Sequence, residues 1–360
     1  MDSSNHNHPH APNRFAVIPT SVRLPADSVY TGKGVTVAFL DSGFYPHPDL
    51  MTPESRIIAY HDLGGERLYL SSSGPVESWQ WHGTQITVAA AGNGSLSDGL
   101  YRGLAHESKL VLVKVSKGGH ISEENIARGI RWVIANRERC NIRVLNISLG
   151  GDEDVPCSRS IIDQAAEEAI SHGIVVVAAA GNSGGEGHHS IPPANSPSVI
   201  TVGGYSDNNQ LGGNNLDLYH SNFGSTVDGT VKPEILAPAM WIAAPILPGT
   251  RFYERAEALS RLAAAADYQL PGLARELEET AELPKQLVKS GATEIRQYIE
   301  ATLQQQKIVA THYQHVDGTS FAAPIVSSIV ALMLEANPGL TPGAIKNILI
   351  STADRIASQP

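Results

Sequence analysis

A serine near the C-terminus stands where a nucleophile is best placed. Ser320 lies in Gly318-Thr319-Ser320-Phe321, which opens an apolar run ending near Leu334. The pattern predicts a helix that begins at this serine, where unpaired backbone N–H groups and the positive end of the helix dipole favour negative charge. A serine alcohol is a weak nucleophile at neutral pH, so it also needs a base, a group that orients the base and donors for an oxyanion.

A histidine and an aspartate upstream fit the first two roles. His82, in Trp81-His82-Gly83-Thr84, precedes a helix pattern of small residues and is the candidate base. A lone histidine is more often structural, and here the small-residue helix behind it favours catalysis. Asp41 ends the buried-strand pattern 35–41, where open parallel sheets place functional groups, and is the candidate that orients the imidazole.

An asparagine between these motifs fits the third role. Asn182 follows the apolar run Ile174–Ala180. A turn asparagine after a glycine is common without any catalytic role, but its place between the histidine and serine motifs favours catalysis. We predict that its side-chain amide donates to the oxyanion, with the backbone N–H of Ser320 as the second donor.

The order Asp, His, Asn, Ser, each in its own motif, resembles the subtilase family of serine peptidases. Further stretches carry the same resemblance, namely 146–151 (NISLGG), 196–203 (SPSVITVG) and 232–238 (KPEILAP). The resemblance covers most of the chain. It implies an α/β subtilisin-like fold, with a mostly parallel sheet flanked by helices on both faces. It also implies a serine endopeptidase that acts on peptides or proteins through an acyl-enzyme and needs no cofactor for this chemistry.

The resemblance also implies where substrate binds. Ser148, Leu149 and Gly150 match the family segment whose backbone pairs with the substrate as an added strand. Ala179, Ala180 and Gly181 match one wall of the pocket for the residue before the cut. The small side chains of this wall imply an apolar, permissive pocket.

The loop Gly92–Gly99 follows the predicted histidine helix, where many relatives bind a structural calcium ion. An aspartate such as Asp49 and loop oxygens are the ligands expected there, and only part of the set can be identified. The alternative is a plain glycine turn.

Hydrophobic patterns agree with the implied fold. Four runs rich in β-branched residues predict buried parallel strands, at 111–115, 144–149, 174–180 and 199–202. Two amphipathic patterns predict helices, one capped by Ser122 and one that ends at Gly173. Thr341-Pro342 predicts the start of a final helix.

The segment from about Arg251 to Thr311 is longer than the usual family connection and is rich in helix-forming residues. Its leucine and isoleucine spacings predict three helices. We therefore predict an N-terminal tail or arm at 1–30, a catalytic domain at 31–250 and 312–360, and an inserted helical subdomain at 251–311. The insertion either gates the cleft or is a surface addition. Ala239 stands where relatives commonly have glycine. Because alanine restricts φ to negative values, the backbone where the chain leaves this strand is expected to differ from that of relatives.

Composition limits the partners and the compartment. The formal charge of −10 without basic clusters argues against nucleic acid as a partner, and no apolar run is expected to reach the length of a membrane span. Only Cys140 and Cys157 are present, and residues 1–13 lack the pattern of a secretion signal, so a cytoplasmic setting is expected. The oligomeric state is not indicated.

The N-terminal residues leave two questions open. His6, His8 and His10 lie in a polar segment that is expected to be a disordered tail and not a metal site. Phe15–Leu24 is expected either to block the cleft or to pack on the body as an arm.

Three alternatives to a simple endopeptidase stay open at this point. The first is a transpeptidase or macrocyclase, in which the insertion shields the acyl-enzyme from water. The second is a latent enzyme whose insertion or N-terminal arm must move first. The third is a catalytically silent module that binds peptides.

Overall fold

The computed structural model describes residues 17–26, 29–65, 70, 76–151, 155–184, 189–212 and 216–356. These residues divide into two units. The larger comprises 18–247 and 315–356, and the smaller comprises 17 and 248–314. The predictions for His6, His8 and His10, and for the first two residues of 15–24, lie outside the described residues.

A sheet of seven parallel strands is the centre of the larger unit. In spatial order the strands are Ile235–Pro238, Ile200–Ser206, Val175–Ala179, Ile142–Ile147, Thr36–Asp41, Lys109–Lys114 and Ile57–Asp62. A short strand, Asp217–Leu218, pairs antiparallel with Ile200–Ser206. The buried strands predicted from β-branched runs are therefore confirmed.

Alternating side chains of each strand enter two separate cores, because successive residues of a strand point to opposite faces. On the central strand, Val37 and Phe39 enter one core, and Ala38 and Leu40 enter the other. Helices cover both cores, which is why the strands are apolar on both faces. This confirms the predicted α/β class.

The helices on each face belong to different parts of the chain. The first core contains residues of helices Trp81–Ala91 and Thr319–Ala336, and the second contains residues of Glu123–Ala135 and Ile161–Ser171. Ser122 caps the third of these by accepting a hydrogen bond from Asn125 N, as predicted. The other helices of this unit are Thr20–Arg23, Pro48–Met51, Arg137–Cys140 and Pro342–Thr352, with 3₁₀ turns at Ser78–Gln80 and Ser95–Ser97.

Short strands complete the larger unit. Two antiparallel pairs join Ser116–Lys117 to His120–Ile121 and Gly224–Ser225 to Val231–Lys232. The strand Ile242–Pro245 follows the sheet strand Ile235–Pro238 in the chain.

The smaller unit is mainly helical, as the spacing of its leucines and isoleucines predicts. Its helices are Arg251–Ala264, Leu270–Glu276 and Ala292–Gln305, with a 3₁₀ turn at Leu287–Lys289. Leu259, Leu262 and Ile295 are fully buried and form part of its apolar interior. A strand at Ile308–Ala310 pairs antiparallel with the start of Tyr313–Val316, which leads back to the larger unit.

One helix in the described part of the chain is long and apolar enough to cross a membrane. It is Thr319–Ala336, with 18 residues and a mean hydropathy of 1.6. The expectation that no apolar run reaches this length was therefore wrong. In the structure 72% of this 18-residue stretch is buried. A helix in the core of a protein can thus be as long and as apolar as a membrane-spanning helix.

Candidate active site

Asp41 and His82 are joined by a hydrogen bond at the carboxyl end of the parallel strands. Asp41 is the last residue of the central strand, and His82 is the second residue of helix Trp81–Ala91. The distances from His82 Nδ1 to the two Asp41 carboxylate oxygens are 2.9 and 3.0 Å. The Asp41 side chain is 1% exposed and that of His82 is 20% exposed, so the pair is shielded while the imidazole stays reachable.

Asp41 is itself held by its neighbour. The backbone N–H of Ser42 donates to Asp41 Oδ1 at 2.7 Å, and the Ser42 hydroxyl lies 3.0 Å from the same oxygen. Ser42 Oγ also lies 2.8 Å from the carbonyl oxygen of Trp79, just before the histidine helix. The sequence pattern around Asp41 does not indicate this role of Ser42.

The pKa of His82 is set by two opposed effects. Burial alone would lower the pKa of the imidazole, but the charge of Asp41 and its hydrogen bond outweigh burial and raise it. When Nδ1 donates its hydrogen to Asp41, Nε2 of the neutral ring becomes the acceptor. A neutral His82 is therefore prepared to take a proton at Nε2.

Ser320 is the second residue of the long helix Thr319–Ala336, as the sequence predicts. Among the described residues, its hydroxyl is hydrogen-bonded to the carbonyl oxygen of Ser148 at 3.3 Å, and not to His82. The next residue, Phe321, packs edge-on against the His82 ring with centroids 6.0 Å apart. The serine and the imidazole are thus in the same site, with the hydroxyl turned toward Ser148. Catalytic hydrogen bonds are often long or misaligned without substrate and tighten when it binds.

The carboxamide of Asn182 is oriented by the residue before the serine. Thr319 donates to Asn182 Oδ1 through its backbone N–H at 2.9 Å and through its hydroxyl at 3.0 Å. Thr319 Oγ1 in turn accepts from Gly181 N at 3.1 Å. Because the carbonyl end of the amide is held in this way, its NH₂ end is the group available to an oxyanion. Thr319 belongs to the serine motif, but the motif alone does not indicate this contact, because Asn182 lies 137 positions away.

The segment predicted to pair with substrate is fastened to the serine helix. Ser148 Oγ donates to the carbonyl oxygen of Ser320 at 3.0 Å and accepts from Asn146 Nδ2 at 3.0 Å. Asn146 Oδ1 accepts from Ser327 Oγ at 2.9 Å, about two helix turns beyond Ser320. Leu149 and Gly150 follow and are partly exposed. A side chain at position 150 would collide with the carbonyl oxygen of Pro192, at 2.7 Å.

The predicted pocket wall lies at the end of the next strand. Ala179 ends the strand Val175–Ala179 and is partly exposed, whereas Ala180 is fully buried. Gly181 has φ +105°, a conformation that glycine adopts readily, and a Cβ there would lie 2.6 Å from Asn222 Nδ2. The backbone at 179–181 therefore passes close to its neighbours, and glycine is needed at its end.

The loop expected to bind calcium is closed by its own hydrogen bonds. Asp49 Oδ1 accepts from Ser95 Oγ at 3.0 Å and from Leu96 N at 3.1 Å. Arg56 Nη2 also donates to the Asp49 carbonyl oxygen at 2.6 Å. Calcium needs six or more oxygen ligands, and here one carboxylate oxygen and the carbonyl oxygen of Asp49 already accept hydrogen bonds. In the described part of the chain, no three His, Cys, Asp or Glu side chains are grouped as metal ligands.

Comparisons with known proteins identify the family of the chain. A model described as the subtilase family matches residues 32–359. The chain is 34% identical over 337 residues to the serine protease AprX of Bacillus subtilis (strain 168), which covers 90% of this chain and 62% of that protein. Subtilisin E of the same organism is 35% identical over 239 residues, covering 64% of this chain and 54% of that protein. The chain thus spans less than two thirds of the length of these relatives.

Solved structures share the fold. The S41 psychrophilic protease has a TM-score of 0.61 at 19% identity, covering 93% of this chain and 90% of that one. A cold-adapted subtilisin-like serine proteinase has a TM-score of 0.56 at 22% identity, covering 95% of this chain and 90% of that one. At such identities the likeness establishes the fold alone, which is subtilisin-like. The match of the family model to residues 32–359 shows that the chain belongs to the subtilase family.

Proposed function

We propose that this protein is a serine endopeptidase in which Asp41, His82 and Ser320 form the catalytic triad. The observation that carries the proposal is the 2.9 Å contact between His82 Nδ1 and Asp41, in the site that also contains the start of the Ser320 helix. This contact selects the tautomer whose Nε2 can accept the serine proton. Family membership and the similarity to the serine protease AprX support the same chemistry.

The reaction runs through an acyl-enzyme. His82 Nε2 takes the proton of Ser320 Oγ while that oxygen attacks the peptide carbonyl carbon. The oxyanion of the tetrahedral intermediate accepts hydrogen bonds from Asn182 Nδ2 and from the backbone N–H of Ser320. His82 then gives the proton to the leaving amine. A water molecule, deprotonated by His82, releases the acid and restores Ser320, and Asp41 stays ionised throughout.

Peptide substrates bind as an extended strand along residues 148–150 in this proposal. The two hydrogen bonds between Ser148 and Ser320 support it, one to the Ser320 carbonyl oxygen and one from its hydroxyl, because they hold the substrate-pairing segment beside the nucleophile. The wall at 179–181 accepts apolar side chains at the residue before the cut. Chemistry at the serine requires no cofactor.

Cleavage of a denatured protein in water enriched in ¹⁸O tests the proposal. Casein incubated with the wild-type protein is expected to give peptides whose new carboxyl ends carry the heavy isotope, and Ser320→Ala is expected to give none. Joined peptides without the isotope would instead identify a transpeptidase. If neither product forms, or if Ser320→Ala produces as much as the wild type, the proposal is wrong.

Gating by the predicted insertion is a separate part of the proposal. A variant in which residues 252–310 are replaced by a short glycine-serine linker is expected to fold and to cleave casein faster than the wild type. An unchanged rate in a folded deletion variant would show that the insertion does not restrict access to the cleft.

A further inference from the structure

A tryptophan before the serine loop has a backbone conformation that bulky residues rarely adopt. Trp241 has φ +61°, in the left-handed region. Ala239, two residues earlier, is not among the described residues of positive φ. Such a conformation persists only where the surrounding structure holds it in place.

The N-terminal segment supplies one part of what holds it. Arg23 ends the short helix Thr20–Arg23, and its side chain is 2% exposed. Its guanidinium donates to the carbonyl oxygens of Met240 at 3.0 Å and of Trp241 at 3.1 Å. The same group forms an ion pair with Asp207 at 2.8 Å. The planar guanidinium fork thus spans both carbonyls while its charge is compensated.

The other contacts of this turn reach the residues just before the nucleophile. The backbone N–H of Trp241 donates to Asp317 Oδ1 at 3.1 Å, and the indole stacks on His315 with ring centroids 4.5 Å apart. The N–H of Gly318 donates to the Ala239 carbonyl oxygen at 2.7 Å. The turn 239–241 is therefore bonded to residues 315–318 on one side and to Arg23 on the other.

We propose that Arg23 is a positioning residue for Ser320. The inference rests on the proposed function. In it, segment 18–24 holds the loop before Ser320 in the position that catalysis needs, and it does not block the cleft. Without the guanidinium, two partly buried carbonyls lose this donor and the left-handed turn loses one of its supports. The Asp317–Gly318 connection then moves, and Ser320 moves with it.

The chain contains a matched control arginine at the other end of the serine helix. Arg143 likewise donates to two carbonyl oxygens, of Pro338 at 3.0 Å and of Leu340 at 3.1 Å. These carbonyls lie just beyond the C-terminal end of helix Thr319–Ala336, which has 18 residues and carries Ser320 in its first turn. At 1.5 Å per residue that separation is about 27 Å. Removing Arg143 disturbs a similar clamp without reaching the nucleophile.

The test measures the rate at which a fluorophosphonate labels wild type, Arg23→Ala and Arg143→Ala, followed by intact mass. Because misplacement of a reacting group by about 1 Å costs on the order of 100-fold in rate, Arg23→Ala is expected to lower the maximal labelling rate constant by about 10- to 100-fold. The half-saturating probe concentration is expected to stay unchanged, and Arg143→Ala to label like the wild type. Millimolar ethylguanidinium is expected to restore labelling of Arg23→Ala, with tetramethylammonium at equal ionic strength as its control.

Arg23→Lys keeps the proposal testable if the alanine variant does not fold. A lysine preserves the charge beside Asp207 but cannot span two carbonyls as a fork, so an intermediate labelling rate is expected. Labelling of a folded Arg23 variant at the rate of Arg143→Ala would overturn this inference alone. Absence of labelling in the wild type would overturn the proposed function, and the inference with it.

Discussion

The hydroxyl and the backbone N–H of Thr319 both donate to Asn182 Oδ1, at 3.0 and 2.9 Å. The threonine therefore fixes the direction of the amide that we assign to the oxyanion. Asn182→Ala is expected to lower kcat by about 100- to 1000-fold with little change in KM, the cost measured for loss of such a donor in a subtilisin. Thr319→Val, which keeps the shape but not the hydroxyl, is expected to give a smaller loss. Steady-state kinetics on one peptide ester would check both, and a changed KM with unchanged kcat would contradict the assignment.

Asp41→Asn is expected to lower kcat by about 10⁴-fold, because the asparagine amide favours the wrong tautomer of the imidazole. The same change should move the pH profile. Since Asp41 raises the pKa of His82, the wild-type kcat/KM is expected to rise with pH through a midpoint above the ordinary value of 6.5. Only the neutral imidazole accepts a proton. Without the aspartate, burial would dominate and the midpoint should fall. A midpoint that is the same in both proteins would show that His82 is not the titrating base.

Calcium chelation is expected to leave the melting temperature unchanged. The reason is that Ser95 and Leu96 already donate to the Asp49 oxygen that an ion would need. Differential scanning calorimetry with EDTA and with added calcium would check this. Asp49→Ala serves as the control and is expected to lower the free energy of unfolding by about 1 kcal/mol or more per lost hydrogen bond, equally in both buffers. A melting temperature that falls only with EDTA would contradict this prediction and show that the protein binds a structural metal ion.

Asp163→Asn is expected to stabilise the protein at alkaline pH. Burial, reinforced by the charges of Glu167 and Asp228, raises the pKa of Asp163 from 3.8 to about 7. The folded state therefore binds this proton more tightly than the unfolded state, so stability falls as pH rises from about 4 to about 7. Removing the charge should add about 1 to 3 kcal/mol to the free energy of unfolding at pH values above that range.

Urea denaturation at acidic and alkaline pH checks this difference. Glu168→Gln, on the same helix, is the matched control because its side chain is 46% exposed and little change is expected. If Asp163→Asn shifts the unfolding midpoint equally at both pH values, the carboxylate does not carry the pH dependence.

Much of the fold was predictable because its signals are local. The buried strand Thr36–Asp41 and the helix that Ser122 caps both follow from residues within a few positions of each other. The same is true of Asp41, His82 and Ser320, whose motifs place each at the end of a strand or the start of a helix. We expect these residues to lie close together because functional groups collect at the carboxyl ends of the strands in a parallel sheet.

The remaining features depend on contacts between distant residues. Arg23 meets Asp207 and Trp241 across 184 and 218 positions, and no pattern around Arg23 indicates either partner. The closure of the loop on Asp49 likewise depends on residues 46 and 47 positions away. The apolar length of the serine helix was underestimated because polar residues such as Ser327 and Ser328 interrupt the run, although both are buried and hydrogen-bonded. The domain limits and the cytoplasmic setting stay predictions.

The most direct test of the central claim is intact-mass analysis after treatment with a fluorophosphonate. The account predicts one adduct on the wild-type protein, and none on folded Ser320→Ala or on folded His82→Ala within the time that labels the wild type. An adduct on Ser320→Ala, or no adduct on folded wild-type protein, would contradict the assignment of Ser320 as an activated nucleophile.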